Sequence, residues 1–324
     1  MKVKTFFLYN TVCSVTIYDE REDAEQIIDE VKQIAYRIRR VLDFYDLDSE
    51  LGTLNRTYRA RVPMPVSEEL CRFLMRLLEF SEKSGYCFDP TLGAAVNTWN
   101  IPAHVPDVPN PKEIEAAMER TGGRYVSCDM ENRTVTFEKD GIQLDAGGAG
   151  KGYAVECAVR HLKKRGVQSA SVNFGGNLYV IGKKKQGDEE GRRWRIGIQS
   201  PWKSYAKSIG TLELENCGIA TSGGYDRFFI KEEKVYHHLL DPHTGYPVEN
   251  TIDSVTIVSE SAFDADLLST ACFVAGIETA EQLCRNMEKP ADYIFVKKDG
   301  TLIVSDRIRE QFHAETGKRE KQNE

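Results

Sequence analysis

The segment Leu144-Asp145-Ala146-Gly147-Gly148-Ala149-Gly150-Lys151-Gly152-Tyr153 runs from an apolar stretch through four glycines into a helical pattern. Bare backbone at a helix N-terminus presents N–H donors at the positive end of the helix dipole, which suits a phosphate or pyrophosphate. It is neither of the common nucleotide loops. A P-loop needs Ser or Thr after its lysine, where Gly152 stands, and the G-x-G-x-x-G spacing is not met. Taken alone, the loop reads equally well as a structural turn. A second segment, Phe263-Asp264-Ala265-Asp266-Leu267-Leu268-Ser269-Thr270, opens another helix. Asp266 and Thr270 are four apart and share one helical face, so a carboxylate and a hydroxyl offer the hard oxygens that Mg²⁺ takes beside phosphate and water. The same residues are also compatible with a helix cap at Asp264 or Asp266 and a threonine facing solvent.

The third segment is Tyr236-His237-His238-Leu239-Leu240-Asp241-Pro242-His243-Thr244-Gly245-Tyr246-Pro247. Asp-Pro-x-Thr-Gly is a tight-turn sequence, which is a sufficient reason for Asp241, Pro242 and Gly245. His238, at the end of an apolar strand, can shuttle a proton or orient a substrate, or it can be a satisfied core histidine. Three glycine turns carry polar residues: Val172-Asn173-Phe174-Gly175-Gly176-Asn177, Ala220-Thr221-Ser222-Gly223-Gly224-Tyr225, and Phe88-Asp89-Pro90-Thr91-Leu92-Gly93 leading to Trp99.

These segments need elements to hold them. Alternation of Cys13, Val15 and Ile17 with Ser14 and Thr16 predicts an opening strand over Thr11 to Tyr18. Ile27, Val31, Ile34, Ile38 and Val41 or Leu42 recur at helical spacing, as do Leu70, Phe73, Leu74, Leu77 and Leu78 in a helix from Ser67 that Gly85 stops. Asn110, Pro111 and Glu113 start a short helix with a cap, a first-turn proline and an acid; Gly122 and Gly123 end it. From Thr134 to Val258 short strands alternate with glycine-rich turns, interrupted or followed by helices over Tyr153 to Lys164 and Phe263 to Ala275. A last strand pair reads Tyr293 to Val296 and Leu302 to Val304. Helices mixed with hairpin-linked strands predict an α+β fold. Lys183 to Arg193 reads as an exposed hairpin loop, and residues 313–324 as a disordered tail.

The chain has 324 residues, 41% hydrophobic and 29% charged, which is a globular composition with room for a large core. Its net charge of −7 comes from interspersed acids and bases, so no basic stripe suits nucleic acid. Met1 to Asn10 is too short in its apolar run for a signal peptide, and nothing reaches the length of a membrane span. Eight cysteines stand without C-x-x-C spacing, and free thiols in a reducing compartment fit them better than zinc sites or disulfides. The expectation is a cytoplasmic protein as the chain stands, membrane-anchored or exported if an N-terminal signal precedes it.

The order and spacing of the motifs resemble the ApbE family of FAD:protein FMN transferases, over the span from about Asn10 to about Ile303. The resemblance rests on Asp48-Ser49-Glu50-Leu51 with Asn55, Phe88-Asp89-Pro90 with Trp99, the loop Asp145 to Tyr153, Asn173 to Gly176, Thr221-Ser222-Gly223, His238 to Gly245, and Asp266 to Thr270. Two departures stand out. The family's usual Met-Gly-Thr is Tyr9-Asn10-Thr11 here, and the lipoprotein signal many members carry does not precede it in this chain.

The resemblance implies a T-fold-like α+β architecture of mostly antiparallel sheets with packed helices, with FAD in a cleft between two subdomains interleaved in a single domain over residues 1–312. It implies a metal bound by the main-chain carbonyl of Gly150 and the side chains of Asp266 and Thr270. It lines the flavin nucleotide with Tyr9, Tyr45, Cys87, Phe88, Asp89, Gly147, Tyr153 and Leu240. The implied reaction uses Mg²⁺ and FAD: a Thr or Ser hydroxyl of an acceptor redox protein takes the FMN half, releasing AMP, with His238 as base or positioner and Asp241 as its orienter. With water as acceptor the same site is an FAD pyrophosphatase. A non-catalytic FAD-binding protein needs neither metal ligands nor His238; a magnesium-dependent nucleotide hydrolase of other specificity is a third reading. The family's acceptor motif, Asp-x-x-(Ser/Thr)-(Ser/Gly)-Ala-Thr, is approached in this chain only at Asp266 to Cys272, where Cys272 replaces the threonine, so the acceptor is expected to be a separate protein.

Overall fold

The computed structural model describes residues 1–101, 107–185, 190–202 and 208–315. Its centre is an eight-stranded sheet whose neighbours are, in order, Lys2–Leu8, Thr11–Ile17, Ala170–Phe174, Asn177–Ile181, Cys217–Gly223, Ile252–Ser259, Asp292–Lys297 and Leu302–Val304. Every pairing in it is antiparallel. The first strand, Lys2–Leu8, was not predicted. It pairs with Thr11–Ile17 through a two-residue turn at Tyr9 and Asn10, both in the left-handed region with φ of 54° and 55°. That is the geometry of a tight hairpin that matches strand twist, here without the glycine that usually announces it.

The strands carry side chains alternately to the two faces, and the pattern is visible in single strands. Phe295 joins one apolar cluster, while its neighbours Ile294 and Val296 join another. The first cluster lies under the helices Ala24–Leu42, Glu68–Lys83, Gly150–Lys164 and Ala262–Ala275, whose apolar stripes (Ile27, Val31, Ile38; Leu70, Phe73, Leu77) are fully buried. The second is closed by a three-stranded sheet ordered Phe312–Ala314, Ser208–Leu214, Trp194–Gln199. The result is helices, large sheet and small sheet in layers. A third cluster ties Trp99, Ile114 and Leu240 to Phe229 and Tyr236 of a separate hairpin, Phe228–Lys231 with Lys234–His237.

The α+β expectation matches this architecture of helices and antiparallel sheets. Helix Glu68–Lys83 is capped by Ser67, whose hydroxyl accepts from Leu70 N, and Asn110 and Glu113 complete a capping box at Pro111–Met118. One expectation fails at the C-terminus. His313 and Ala314, assigned to a disordered tail, form a strand against Thr211 and Gly210; residues 316–324 lie outside the described residues. The Lys183 to Arg193 hairpin is closed by reciprocal main-chain bonds between Lys184 and Arg192, with 186–189 outside the described residues. All eight cysteines are free, five of them buried. No helix among the described residues is long and apolar enough to cross a membrane.

Candidate active site

A cleft of about 470 Å³ gathers segments from the whole length of the chain. Its walls include Tyr9 and Thr11 of the first hairpin, Tyr45, Cys87 to Asp89, Gly147, Gly148 and Lys151 of the glycine loop, Thr221 to Gly223, His238 to Leu240, and Asp266 with Thr270.

The glycine loop is entered through Leu144, whose N–H and C=O are both bonded to the side-chain amide of Asn55 at 2.8 Å, as a neighbouring strand would bond them. Asp145 then folds back, its Oδ1 accepting from Gly147 N at 2.8 Å, and the chain enters the helix Gly150–Lys164. The helix thus begins at Gly150 rather than at Tyr153, with Gly150 and Gly152 in its first turn. On the other side, Ser261 caps the helix Ala262–Ala275. The two helices meet at Gly152, whose N–H donates to Asp266 Oδ2 at 2.7 Å. This bond joins the two segments read separately for phosphate and metal. The Ser222 and Ser269 hydroxyls, 2.8 Å apart, tie the Thr221-Ser222-Gly223 turn to the same helix.

Burial raises the Asp266 carboxyl above the ordinary aspartate range, opposed by the Lys151 charge, the Gly152 N–H and the Asn177 amide. Asn177 is buried beside it, and its Oδ1 has no hydrogen-bond partner. An unpartnered oxygen next to a buried carboxylate and a threonine hydroxyl is a donor set fit for a hard cation that shares its shell with phosphate and water. Among the described residues no three His, Cys, Asp or Glu side chains form a cage, so a bound ion here would depend on the nucleotide for further ligands. Two glycines lie against these side chains: Gly152 packs on Asp266, and a Cβ built on Gly148 would stand 3.1 Å from Thr270 Oγ1. Gly150 is not part of the cleft wall, and a Cβ there would meet only Ala146.

The same cleft is lined by His238. Arg227 O accepts both from His238 N at 3.1 Å and from the ring at Nδ1, 3.3 Å. A carbonyl only accepts, so the proton is assigned to Nδ1 and the lone pair to Nε2, the form a general base requires. Burial and the Arg227 charge push the imidazole down to about 4 from its ordinary value, so it is held neutral. Asp241 does not orient it. The Asp241 carboxylate turns into its own tight turn, with Oδ1 accepting from His243 N at 2.8 Å and lying 3.1 Å from His243 Nδ1, because an Asp-Pro turn uses its side chain to close on the residue two positions on. That turn is fastened to the cleft by Trp99, whose indole N–H donates to Gly245 O at 2.7 Å.

Tyr9, Tyr45, Cys87, Phe88, Asp89, Gly147 and Leu240 all lie on the cleft wall. Asp89 is also a brace: its two oxygens accept from Thr91 and from Gly123 N, which fixes the loop that presents Phe88. Tyr153 is elsewhere. Its ring packs edge-on against Phe73 and Phe263 on the far side of the helix, since two residues beyond Lys151 the helix has turned to its buried face. Lys151, Asp145, Asn177 and Arg227 are cleft residues that sequence reasoning did not single out. For Lys151 the signal was present, as it is the one cation of the glycine loop; for Arg227 there was none.

The ApbE family pattern matches residues 9–295. The FAD:protein FMN transferase of Treponema pallidum is 34% identical over 314 residues, covering 92% of this chain and 86% of that protein. One from Klebsiella pneumoniae is 30% identical over 288 residues, covering 89% and 87%. Among solved structures, the ApbE protein of Thermotoga maritima superposes with a TM-score of 0.85 at 29% identity, over 96% of this chain and 98% of that one.

Proposed function

Since the chain belongs to the ApbE family, we propose that it is an FAD:protein FMN transferase that moves the FMN half of FAD onto a Thr or Ser hydroxyl of an acceptor redox protein and releases AMP. The observation that carries this reading is the Gly152 to Asp266 junction: one cleft holds a glycine-lined helix start, an oxygen donor set and a neutral histidine.

In this reading the pyrophosphate lies against the start of the helix Gly150–Lys164 with Lys151 beside it, where the helix dipole and the Lys151 charge stabilise negative charge; the N–H groups of Gly147, Ala149, Gly150 and Gly152 are already bonded within the protein. Asp266, Thr270 and a main-chain carbonyl of the glycine loop, that of Gly150 or of Gly148 beside Thr270, would hold Mg²⁺. When bound, the ion would supply charge neutralisation for the pyrophosphate and steady the AMP leaving group. His238 Nε2 takes the proton of the attacking hydroxyl; its oxygen bonds to the FMN-side phosphorus as the bond from that phosphorus to the bridging oxygen breaks. Tyr9, Tyr45, Cys87, Phe88 and Leu240 hold the flavin end. Water reaching the half-buried His238 gives the pyrophosphatase reaction in the same site.

The test is incubation with FAD and Mg²⁺, with and without a hydroxyl-bearing acceptor peptide, followed by mass spectrometry of the peptide and chromatography of the nucleotides. Transfer adds FMN less one water to the peptide and yields AMP in equal amount. FMN and AMP with an unmodified peptide would assign the site to hydrolysis, and FAD recovered intact would sink the enzyme reading.

A further inference from the structure

Arg227 lines the cleft beside His238. Its main chain has a task, accepting from both the N–H and the ring of His238. Its side chain has none among the described residues. Arg227 is exposed and lines the cleft, and its guanidinium makes no hydrogen bond or ion pair there. Its charge acts on groups from three separate segments of the same cleft, Tyr45, Asp145 and His238.

A bare cation beside a general base is unhelpful in an empty cleft, because a positive neighbour opposes proton uptake by the imidazole. His238 faces Arg227, His237 and Lys151, with no carboxylate among the groups whose charge acts on it. The arrangement becomes productive when an anion lies between guanidinium and imidazole. In the proposed reaction that anion is the phosphate whose phosphorus is attacked, since the base must stand next to the hydroxyl arriving there.

We infer that Arg227 is a further catalytic residue, its guanidinium binding the FMN-side phosphate of the nucleotide while its carbonyl holds His238 against that same group. The inference rests on the proposed function. It gives the pyrophosphate a second cation, Arg227, besides Lys151, the helix start and the oxygen donor set. A planar guanidinium suits a phosphate that spreads its charge over equatorial oxygens in transfer.

The experiment compares wild type with Arg227→Gln and Arg227→Lys, titrating FMN and riboflavin, which differ only in the phosphate, and measuring transfer and FAD hydrolysis. The variants keep the carbonyl that holds His238, so the comparison reads the guanidinium; unchanged melting and circular dichroism verify the fold. The expected result for Arg227→Gln is FMN affinity lowered roughly 10- to 100-fold with riboflavin affinity unchanged, and a fall in kcat for both transfer and hydrolysis that Arg227→Lys partly restores. Equal losses for FMN and riboflavin would overturn the inference in favour of a flavin-ring contact. Unchanged flavin binding with a raised KM for the acceptor alone would overturn it in favour of an acceptor contact. Failure of the underlying function shows separately, as wild type that leaves FAD intact.

Discussion

Replacing Gly152 by alanine tests the junction on which the site depends. A Cβ built at Gly152 would lie 2.6 Å from Ala262 O and closer still to Asp266 Cβ. Carbon atoms settle at about 3.5–4.0 Å, so the overlap is on the order of an ångström. Neither neighbour is the loose end of a side chain: one is main chain in the first turn of the helix Ala262–Ala275, the other is anchored directly to that helix. Relief therefore requires the two helices to separate, carrying Asp266 and Thr270 away from Gly148. Overpacking of this kind costs about 1–3 kcal/mol, a fall in melting temperature of roughly 1–5 °C for a chain of this size. A shift of about 1 Å at the reacting centre lowers the rate by around 10²-fold. Gly150→Ala, two residues earlier in the same helix, meets only Ala146 Cβ at the ordinary distance of 3.6 Å and leaves its carbonyl in place. It should be neutral or stabilising by up to about 1 kcal/mol, with activity retained. Differential scanning calorimetry and FMN transfer across a Mg²⁺ series measure both. If the two variants melted together and transferred alike, the reasoning from helix contact to site geometry would be refuted.

His238→Ala should lower transfer by about 10²–10⁴-fold with FAD binding largely intact, and full-rate transfer by a variant that binds FAD normally would return the histidine to a structural role. The imidazole is depressed in the folded chain, so the base form is present at ordinary pH and is lost only as pH falls through about 4. At saturating Mg²⁺, kcat/KM for FAD should accordingly hold below the ordinary histidine value, and an acid limb at about 6.5 or above would contradict the assignment. Asp266→Ala should abolish most transfer, with partial recovery at high Mg²⁺, and Thr270→Val should do so more mildly; wild-type activity of folded Asp266→Ala at low Mg²⁺ would remove the metal assignment. Asp266→Ala also leaves the Gly152 N–H without its acceptor, costing about 1–3 kcal/mol, which a melting curve will show.

The parts of the site that sequence made legible are those whose chemistry is written in consecutive residues. A run of glycines into a helix, or an acid and a threonine four apart, announces backbone donors and a shared face whatever surrounds it. Asp241 misled for the same reason turned round: proximity to His238 in sequence suggested a pair, while the tight turn that Asp241 opens sends the carboxylate to His243. The placement of Gly148 against Thr270, and the exclusion of Gly150 and Tyr153 from the cleft, depend on helix rotation to within one residue, which glycine spacing does not specify. Arg227 was silent because its role comes from the hairpin that follows it, and a lone arginine before an aromatic pair has no local signature. The strand Lys2–Leu8 was hidden by its turn, since Tyr9 and Asn10 adopt a conformation that sequence reading assigns to glycine.

The sheet order sets a timetable for making this protein. The hairpin that opens the chain finds its neighbour in Ala170–Phe174, with Thr16 opposite Ser171 and Cys13 opposite Phe174. At synthesis speeds of about 5–20 residues per second, the nascent hairpin waits roughly ten to thirty seconds for that partner to leave the ribosome. During this time the inner edge of Thr11–Ile17 is unpaired, and Val15 and Ile17, fully buried at the end, have only the helix Ala24–Leu42 to cover them. Pauses that fall before Ala170–Phe174 has left the ribosome would lengthen that exposure, and later pauses would not. Synonymous codon changes on either side of this point are therefore expected to affect soluble yield unequally while leaving the purified enzyme the same.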